Sequence, residues 1–503
     1  MVFLFVLSRT SFSPLSYKYD YLGDDFKMKK VYYVDEVRKM EILTCEQKQI
    51  CENELMYQAG YVLAKDFLSR VMPNVDEEIL VIANVGNNGG DALVVFQELS
   101  KLGYNTVLSI IGDLEKASDA FKYYSGKLDK NINLIAFNDI EKAIKRSKYI
   151  IDGIFGIGLK KDVLGDYKYV IKLINNSQKI IYSIDIPSGI NPNTGEVMNI
   201  AVKASFTGVV GKYKLGNFLN DAPDYHGERK LLDIGLLEGY SDIYYLDYSE
   251  VDVKRKRTHN SYKYTYGHNA YIGSSSLPGA INLSALAALK SGSGLVEVFY
   301  DEEISRFNIE TIYHKLTNDF DYRKYNTILF GPGITEIKEV YQNLMDNLLK
   351  EKIKLVIDAG GLKYLNLKKK YKNVVITPHL GELSQLIEVD KDLIRKDPIL
   401  YLRQIANKGL ITVLKGPTTI IQEQRYTYLM QAKNHGLATA GTGDVLAGII
   451  TSFLVDETTI NACVKANATF MIAADYARIK RGEVSMTATD VIDSLYKVWT
   501  RKR

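Results

Sequence analysis

Between residues 35 and 72 the apolar positions Val37, Met40, Leu43, Leu55, Met56, Ala59, Val62, Leu63 and Phe67 recur with helical spacing. The pattern then changes. EEILVIANVG (77–86) is a continuous apolar run that stops at glycine, and it reads as a buried strand. ALVVFQELSKLG (92–103) predicts a helix with Gly103 as its stop, and TVLSIIG (106–112) the next strand. YIIDGIF (149–155) and KIIYSIDIP (179–187) are further strands with a helical stretch between them. Strands alternating with helices predict a parallel sheet with right-handed crossovers. Ligands of such sheets bind beyond the strand C-terminal ends. NNGGD, DGIFGIGL and DIPSG each follow a strand, so they are expected to meet at one mouth.

A second α/β pattern starts after residue 260. NAYIGSS (269–275) is strand-like and INLSALAALKSG (281–292) is a helix of small residues. NTILFGPG (326–333), KLVIDAGGL (354–362), NVVITPHLGE (373–382) and ITVLKGPTTII (411–421) each read as a strand followed by a polar or glycine turn. There is no internal repeat. Between the patterns, KRKR (254–257) follows the acid-rich stretch 241–252 and marks a boundary near 250. It reads as a solvated linker, with nucleic-acid contact the lesser alternative. A length of 503 residues also exceeds one ordinary core and favours two domains.

Composition narrows the class. Apolar residues make up 46% and charged residues 25%, as in a soluble globular protein, and the formal net charge is only +4. That balance argues against nucleic acid or an anionic membrane as the main partner. Cys45, Cys51 and Cys463 are few, odd in number and not metal-spaced, so a reduced, cytoplasmic protein is expected. The six histidines form no metal motif, and no run is long and apolar enough for a membrane helix. MVFLFVLS at the start lacks a basic n-region and a clear cleavage site. It reads as an extension rather than a signal peptide, with Met28 as an alternative start.

The candidate chemistry is concentrated in glycine-rich stretches. NHGLATAGTGDVLAGII (434–450) carries Gly441 and Gly443, then Asp444, at the head of an apolar helix. Glycines let the backbone approach an anion, and the helix N-terminus points free N–H groups at it. A carboxylate held there can take a proton from a hydroxyl beside a phosphate. In the first half, NNGGD (87–91) is neither a GxGxxG nor a Walker A loop, which weakens hydride transfer and P-loop hydrolysis. Asp152, Asp185 and Ser188 end adjacent strands, where oxygen groups can bind a cation or move protons. His379 in TPHLGE and Lys415 in LKGPTT stand at strand ends of the second half, the lysine as a candidate nucleotide ligand.

The first half resembles the NAD(P)H-hydrate epimerase family. The matching pieces are DEVRKMEILTCEQKQICENELMYQAG, VGNNGGDALVV, YIIDGIFGIGL, SIDIPSGINPNTGEV, KYKLGN and HGERKLLDIGL. The resemblance implies a Rossmann-like three-layer domain over 30–248, after an extension 1–29 expected to be disordered. It implies that Asn87, Asn88, Gly89, Gly90 and Asp91 hold the hydrated dinucleotide NADHX or NADPHX. The loop Gly156, Ile157, Gly158, Leu159, Lys160, Lys161 and Asp162 would share that task. Asp185 would act as acid/base on the ring, and Asn88, Asp152 and Ser188 would ligate K⁺. Ala92 stands where the family usually has glycine, and Ile157 where it usually has threonine.

The second half, 249–503, resembles the ADP- or ATP-dependent (S)-NAD(P)H-hydrate dehydratase family through GSSSLPGAINLSALAALKSGSGLV, TPHLGE and the GTGD stretch. The implied fold is a ribokinase-like α/β domain. Ala280, Gly333, His379 and Asp444 would contact the hydrate, with Asp444 catalytic. Lys415, Gly416, Pro417, Thr418, Thr419 and Gly443 would contact the nucleotide, ADP in preference to ATP, with Mg²⁺. Thr335 and Gly360 depart from the family pattern, and Gly360 removes an acid. The implied whole is a bifunctional repair enzyme. Its partners are the hydrates, an adenine nucleotide and other copies of itself in a homo-oligomer, without nucleic acid or membrane. A small-molecule kinase with an accessory domain and a non-catalytic scaffold are the alternatives.

Overall fold

The computed structural model describes residues 26–302, 307–351 and 353–501. In the N-terminal half the strands are β1 (Met28–Tyr32), β2 (Ile79–Asn84), β3 (Thr106–Ile111), β4 (Leu134–Ile135) and β5 (Tyr149–Gly153). They continue with β6 (Ile180–Ile184), β7 (Phe206–Val210), β8 (Tyr213–Lys214), β9 (Glu228–Leu232) and β10 (Ile243–Leu246). The C-terminal half adds β11 (His268–Gly273), β12 (Leu295–Tyr300), β13 (Ile312–Lys315), β14 (Thr327–Phe330) and β15 (Lys354–Ile357). It ends with β16 (Val374–Ile376), β17 (Leu410–Leu414), β18 (Thr418–Glu423) and β19 (Tyr426–Gln431).

The described strands form two sheets, and both are sandwiched by helices. The seven-stranded sheet has the order β4-β3-β2-β5-β6-β7-β9, and its pairs are parallel. In β2 successive side chains alternate between two cores. Ile79, Val81 and Ala83 pack with Leu63 and Phe67 of the helix Glu52–Val71 and with Leu93 of the helix Asn87–Lys101. Leu80 and Ile82 pack with Ile144, Val170 and Ile174 on the opposite face. A strand covered on both sides needs an unbroken apolar run, which explains why 77–86 reads as it does.

The twelve-stranded sheet has the order β13-β12-β11-β14-β15-β16-β17-β18-β19-β10-β1-β8. Strands β11 to β17 pair in parallel with their neighbours, whereas β17–β18 and β18–β19 are antiparallel. The stretch 411–421, read as one strand and a turn, is therefore most of a hairpin, because KGP at 415–417 reverses the chain. The last three strands of this sheet come from the N-terminal half. Strand β10 pairs with β19 through Tyr245 and Leu429, β1 pairs with β10, and β8 pairs with β1. The boundary read near 250 thus follows a strand that already belongs to the second sheet. One core mixes Val31, Tyr213, Phe218 and Tyr245 with Ile328, Ile357, Ile376 and Leu429, so the halves share apolar packing.

Local readings are refined in three places. The helical stretch 35–72 is two helices, Val34–Lys48 and Glu52–Val71, because Gln49 is left-handed at φ 55° and turns its amide back on Cys45 and Glu46. Residues 1–25 of the extension lie outside the described residues, but Phe26 is buried and Met28 and Lys29 open β1. The KRKR run is more than a solvated linker. Arg255 pairs with Asp456 at 2.9 Å, donates to the Ser291 carbonyl at 2.7 Å and lies over the Phe453 ring. Its charge is used to pin the domain's first segment to the helix Thr442–Phe453.

That helix is held close to its neighbour, the helix Pro278–Lys290. A Cβ on Gly448 would collide with the Ser284 carbonyl, so only glycine allows this approach. Gly448→Ala is expected to destabilise the protein by about 1–3 kcal/mol, as overpacked cores do. A thermal melt that shows no lowering of Tm would refute the close approach.

Candidate active sites

The first site lies at the C-terminal ends of the seven-stranded sheet, in a cavity of about 990 Å³. Asn87, Asn88 and Asp91 line it from the helix Asn87–Lys101, and residues 156–162 and Asp185 line it from the strand ends. Gly89 and Gly90 are buried beneath this wall, where a Cβ on Gly89 would run into the Asn84 backbone. Ala92, the residue in place of glycine, is fully buried and lies against the bare α-carbon of Gly153. Ile157 is clamped through its carbonyl by Arg38 at 3.3 Å.

Asp185 is held in an uncommon conformation. Its φ is +64°, a left-handed value for a non-glycine residue at the turn after β6. The Val210 amide donates to its Oδ1 at 2.9 Å, and the Lys214 ammonium forms an ion pair with the same oxygen. Lys214 is itself buried and also donates to the Val210 carbonyl at 2.9 Å. Glu41 and Asp91 share the cavity with this pair. Burial, then the Asp185 and Glu41 charges, pushes the Asp91 carboxyl well up. Burial likewise raises Glu41, against the pull of Lys214. The site thus sets the Asp185–Lys214 ion pair beside two carboxyls raised by burial, an arrangement suited to proton transfer.

Asp152 and Ser188 sit behind the cavity wall and are wholly buried. Ser188 Oγ lies 2.5 Å from Asp152 Oδ1, and the Ser188 amide and Ser183 hydroxyl both donate to Oδ2. Asn88 packs against the α-carbon of Gly156 and leaves its Nδ2 buried without a partner. No basic side chain within ion-pair distance balances Asp152 among the described residues, and burial raises its pKa despite four donors. The oxygens of Asn88, Asp152 and Ser188 are a donor set that fits a hard cation of low charge.

The second cavity, about 850 Å³, lies beside the twelve-stranded sheet. His379, Lys415, Gly416, Pro417, Thr419 and Gly443 line it. Lys415 donates to Asp358 Oδ1 at 2.7 Å and stands 3.8 Å from Glu382. Gly443 leaves room for it, since a Cβ there would lie 3.2 Å from the Lys415 ammonium. Thr418 differs from expectation. Its side chain points the other way along β18, and its hydroxyl donates to the Phe218 carbonyl at 2.6 Å. His379 caps the helix Leu380–Ile387 by accepting from the Gly381 and Glu382 amides at Nδ1.

Asp444 stands in the first turn of the helix Thr442–Phe453. Its carboxyl is pushed up to about 7, first by burial and then by Asp358, with Lys415 opposing. Asp444, Ala280 and Gly333 lie outside the wall of the second cavity. The Asp444 carbonyl accepts from Ser284 at 2.8 Å, Ala280 lies one turn earlier on that helix, and the Gly333 α-carbon packs on the Leu277 carbonyl. Ala280 and Gly333 therefore lie by the first turn of the helix Pro278–Lys290, and Ser284 of the same helix holds the Asp444 backbone. Gly360, in place of an acid, is required here because a Cβ would strike the Ile334 carbonyl. Asp358, two residues earlier at the same strand end, supplies a carboxylate that accepts from Lys415.

Several site residues escaped the sequence reading: Lys214, Glu41, Asp358 and Glu382. Lys214 lay in the quoted KYKLGN, but its partner is 29 residues away and no local spacing announces the pair. Glu41 lay on a helix whose apolar stripe drew the attention.

Family models match in two places. Residues 271–497 match the model described as NAD(P)H-hydrate dehydratase, and residues 52–216 match YjeF-related protein N-terminus. The bifunctional NAD(P)H-hydrate repair enzyme Nnr of Coxiella burnetii is 29% identical, with 93% of this chain and 99% of that protein covered. The enzyme of the same name from Dictyoglomus turgidum is 32% identical, with 93% and 97% covered. Among solved structures, the ADP/ATP-dependent NAD(P)H-hydrate dehydratase from Bacillus subtilis, co-crystallised with ATP/Mg²⁺, is 27% identical. It covers 49% of this chain and 93% of its own, at a TM-score of 0.44. Near end-to-end likeness to these relatives, with both models matched in order, places the chain in the family of bifunctional NAD(P)H-hydrate repair enzymes.

Proposed function

We propose that the chain repairs hydrated NADH and NADPH at two separate sites. The N-terminal site epimerises the R and S hydrates at C6, and the C-terminal site dehydrates the S form at the expense of ADP, or of ATP. The observation that carries this reading is the pair of cavities, one around Asp185 and Lys214, the other beside Lys415 and Gly443 with Asp444 adjoining.

At the first site Asp185 exchanges a proton with the ring while Lys214 holds its carboxylate in place. Asn87, Asn88 and Asp91, the buried glycines and the loop 156–162 embrace the dinucleotide. Asn88, Asp152 and Ser188 would hold K⁺, whose charge would offset the buried Asp152 carboxylate. Epimerisation is expected to slow when tetramethylammonium replaces K⁺. Equal rates in the two salts, with Asp152→Asn equally active, would remove the ion from the reading.

At the second site Asp444 takes the proton of the C6 hydroxyl, whose oxygen attacks the terminal phosphorus of the nucleotide. The bond to the bridging oxygen breaks, and AMP leaves when ADP is the donor. The ring nitrogen then expels phosphate from C6, and loss of a C5 proton restores the dihydropyridine. Amides at the head of the helix Thr442–Phe453 and the Lys415 ammonium face the charge that develops on phosphate. Mg²⁺ bound with the nucleotide would neutralise phosphate charge, with Asp358 and Glu382 as the carboxylates beside it. Free cysteines suit a reducing, cytoplasmic setting, and self-association into a homo-oligomer completes the proposal.

The deciding assay mixes R and S NADHX with the protein and ADP or ATP and follows NADH absorbance. Complete recovery of NADH supports both activities. A stable phosphorylated product without NADH would instead identify a small-molecule kinase.

A further inference from the structure

We infer that the N-terminal half completes the nucleotide site of the C-terminal half, with His226, Arg229, Tyr213 and Tyr245 forming the wall that holds the adenosine portion of ADP or ATP. The inference rests on the dehydratase reading above and adds residues from the other half of the chain to it.

The second cavity is bounded by both halves. One end carries Lys415, Gly416 and Gly443, at a helix N-terminus that suits phosphate. The other wall belongs to β8, β10 and the segment entering β9, all from the N-terminal half. His226 stands in this wall, 1% exposed, with both ring nitrogens lacking a hydrogen-bond partner. Buried polar atoms are rarely left unpaired in a finished structure, and such a group beside a cavity points to a ligand. A neutral imidazole offers one donor and one acceptor. The edge of adenine offers the complement, an amino group next to a ring nitrogen.

Arg229 adds a second, separate sign. Its guanidinium donates to Gln431 Oε1 at 2.5 Å and to the Asn217 carbonyl, and lies 4.3 Å over the Phe218 ring. No carboxylate lies within ion-pair distance of it among the described residues. With Asp224, Glu228 and Asp247 lining the same cavity, Arg229 serves here as a fixed set of N–H donors beside the space for a nucleoside rather than as a phosphate site. The wall is also set in place before any ligand arrives. Pairing of β10 with β19, the Thr418 to Phe218 hydrogen bond and the Arg229 to Gln431 hydrogen bond all tie the halves around the opening.

Two measurements on the full chain test this. Wild-type protein is photolabelled with 8-azido-ADP and 8-azido-ATP, and adducts are mapped by peptide mass spectrometry. Label on the peptides holding Tyr213, His226, Arg229 or Tyr245 is expected. In parallel, His226→Leu is expected to raise the nucleotide KM of dehydration about tenfold, with kcat at saturating nucleotide held within about twofold. His226→Gln, which keeps a donor and an acceptor, is expected to restore most of the affinity. Label confined to the C-terminal half of an enzyme that turns over would overturn this inference alone, as would an unchanged KM in a folded His226→Leu protein. Should that variant not fold, the wild-type labelling decides. Absence of both label and nucleotide-dependent turnover would overturn it together with the functional reading.

Discussion

Asp444→Asn is expected to lower nucleotide-dependent recovery of NAD(P)H by on the order of 10²- to 10⁴-fold, the usual cost of losing a general base. Asparagine keeps the shape of the side chain and its place in the first turn of the helix Thr442–Phe453. What it loses is the capacity to take a proton from the C6 hydroxyl as the phosphorus–oxygen bond forms. Substrate and nucleotide contacts should survive, so the loss should appear in kcat more than in KM. Epimerisation should be unaffected, because Asp185 and its surroundings line a different cavity. A variant that dehydrates at the wild-type rate would remove Asp444 from the mechanism.

The same residue sets an expected pH dependence. Burial and the neighbouring Asp358 charge push the Asp444 carboxyl up to about 7. A general base works only when ionised, so the protonated fraction below that pH is inactive. Dehydratase kcat/KM should therefore rise about tenfold per unit as pH increases toward neutrality, then level off above it. Binding of Mg²⁺ and nucleotide adds charges of its own, which is why the free-enzyme parameter kcat/KM is the one to follow. A profile that falls with rising pH over this range would contradict a base at this position.

Sequence pattern made the two layers of strands and helices legible because every central strand is covered on both faces. Such strands must be apolar throughout, and their ends must be glycine-rich to bring ligands close. NNGGD, DGIFG, DIPSG and GTGD could be placed at strand ends or helix starts for that reason. The joint between the halves was not legible. Strands β1, β8 and β10 are short, and they find their partners in β19 and in one another across as much as 218 positions of chain. Nothing in a five-residue run such as MKKVY says which sheet it will join. The ion pair of Lys214 with Asp185 spans 29 positions and that of Lys415 with Asp358 spans 57, so no local spacing announces either. Thr418 shows a converse limit. A motif names its neighbours together, but along a strand successive side chains point to opposite faces, so Thr419 lines the cavity while the Thr418 hydroxyl turns to Phe218.

Asp185→Asn is expected to split the repair of a mixed hydrate pool into two phases. Wild-type protein with ADP or ATP should convert R and S hydrates to NADH in one fast phase, provided epimerisation keeps pace. With Asp185 replaced, the S fraction should still be consumed quickly, and the remainder should follow only as fast as R converts to S unaided. The reason is stereochemical. A site that aligns one C6 hydroxyl with Asp444 and the phosphoryl donor puts the opposite epimer's hydroxyl on the wrong ring face, out of in-line reach. Asparagine is the right replacement because the position is left-handed at φ +64°, which asparagine tolerates better than alanine. Lys214 then loses its anionic partner but keeps the Val210 carbonyl at 2.9 Å. The direct epimerisation rate should fall by about 10²- to 10⁴-fold. A single fast phase identical to wild type would mean either that Asp185 does not move the proton or that the second site accepts both epimers. Assaying the variant on purified R hydrate separates these. Fast dehydration of pure R without epimerase action would assign the failure to the second site's stereochemistry, and rapid formation of S before any nucleotide is added would assign it to Asp185.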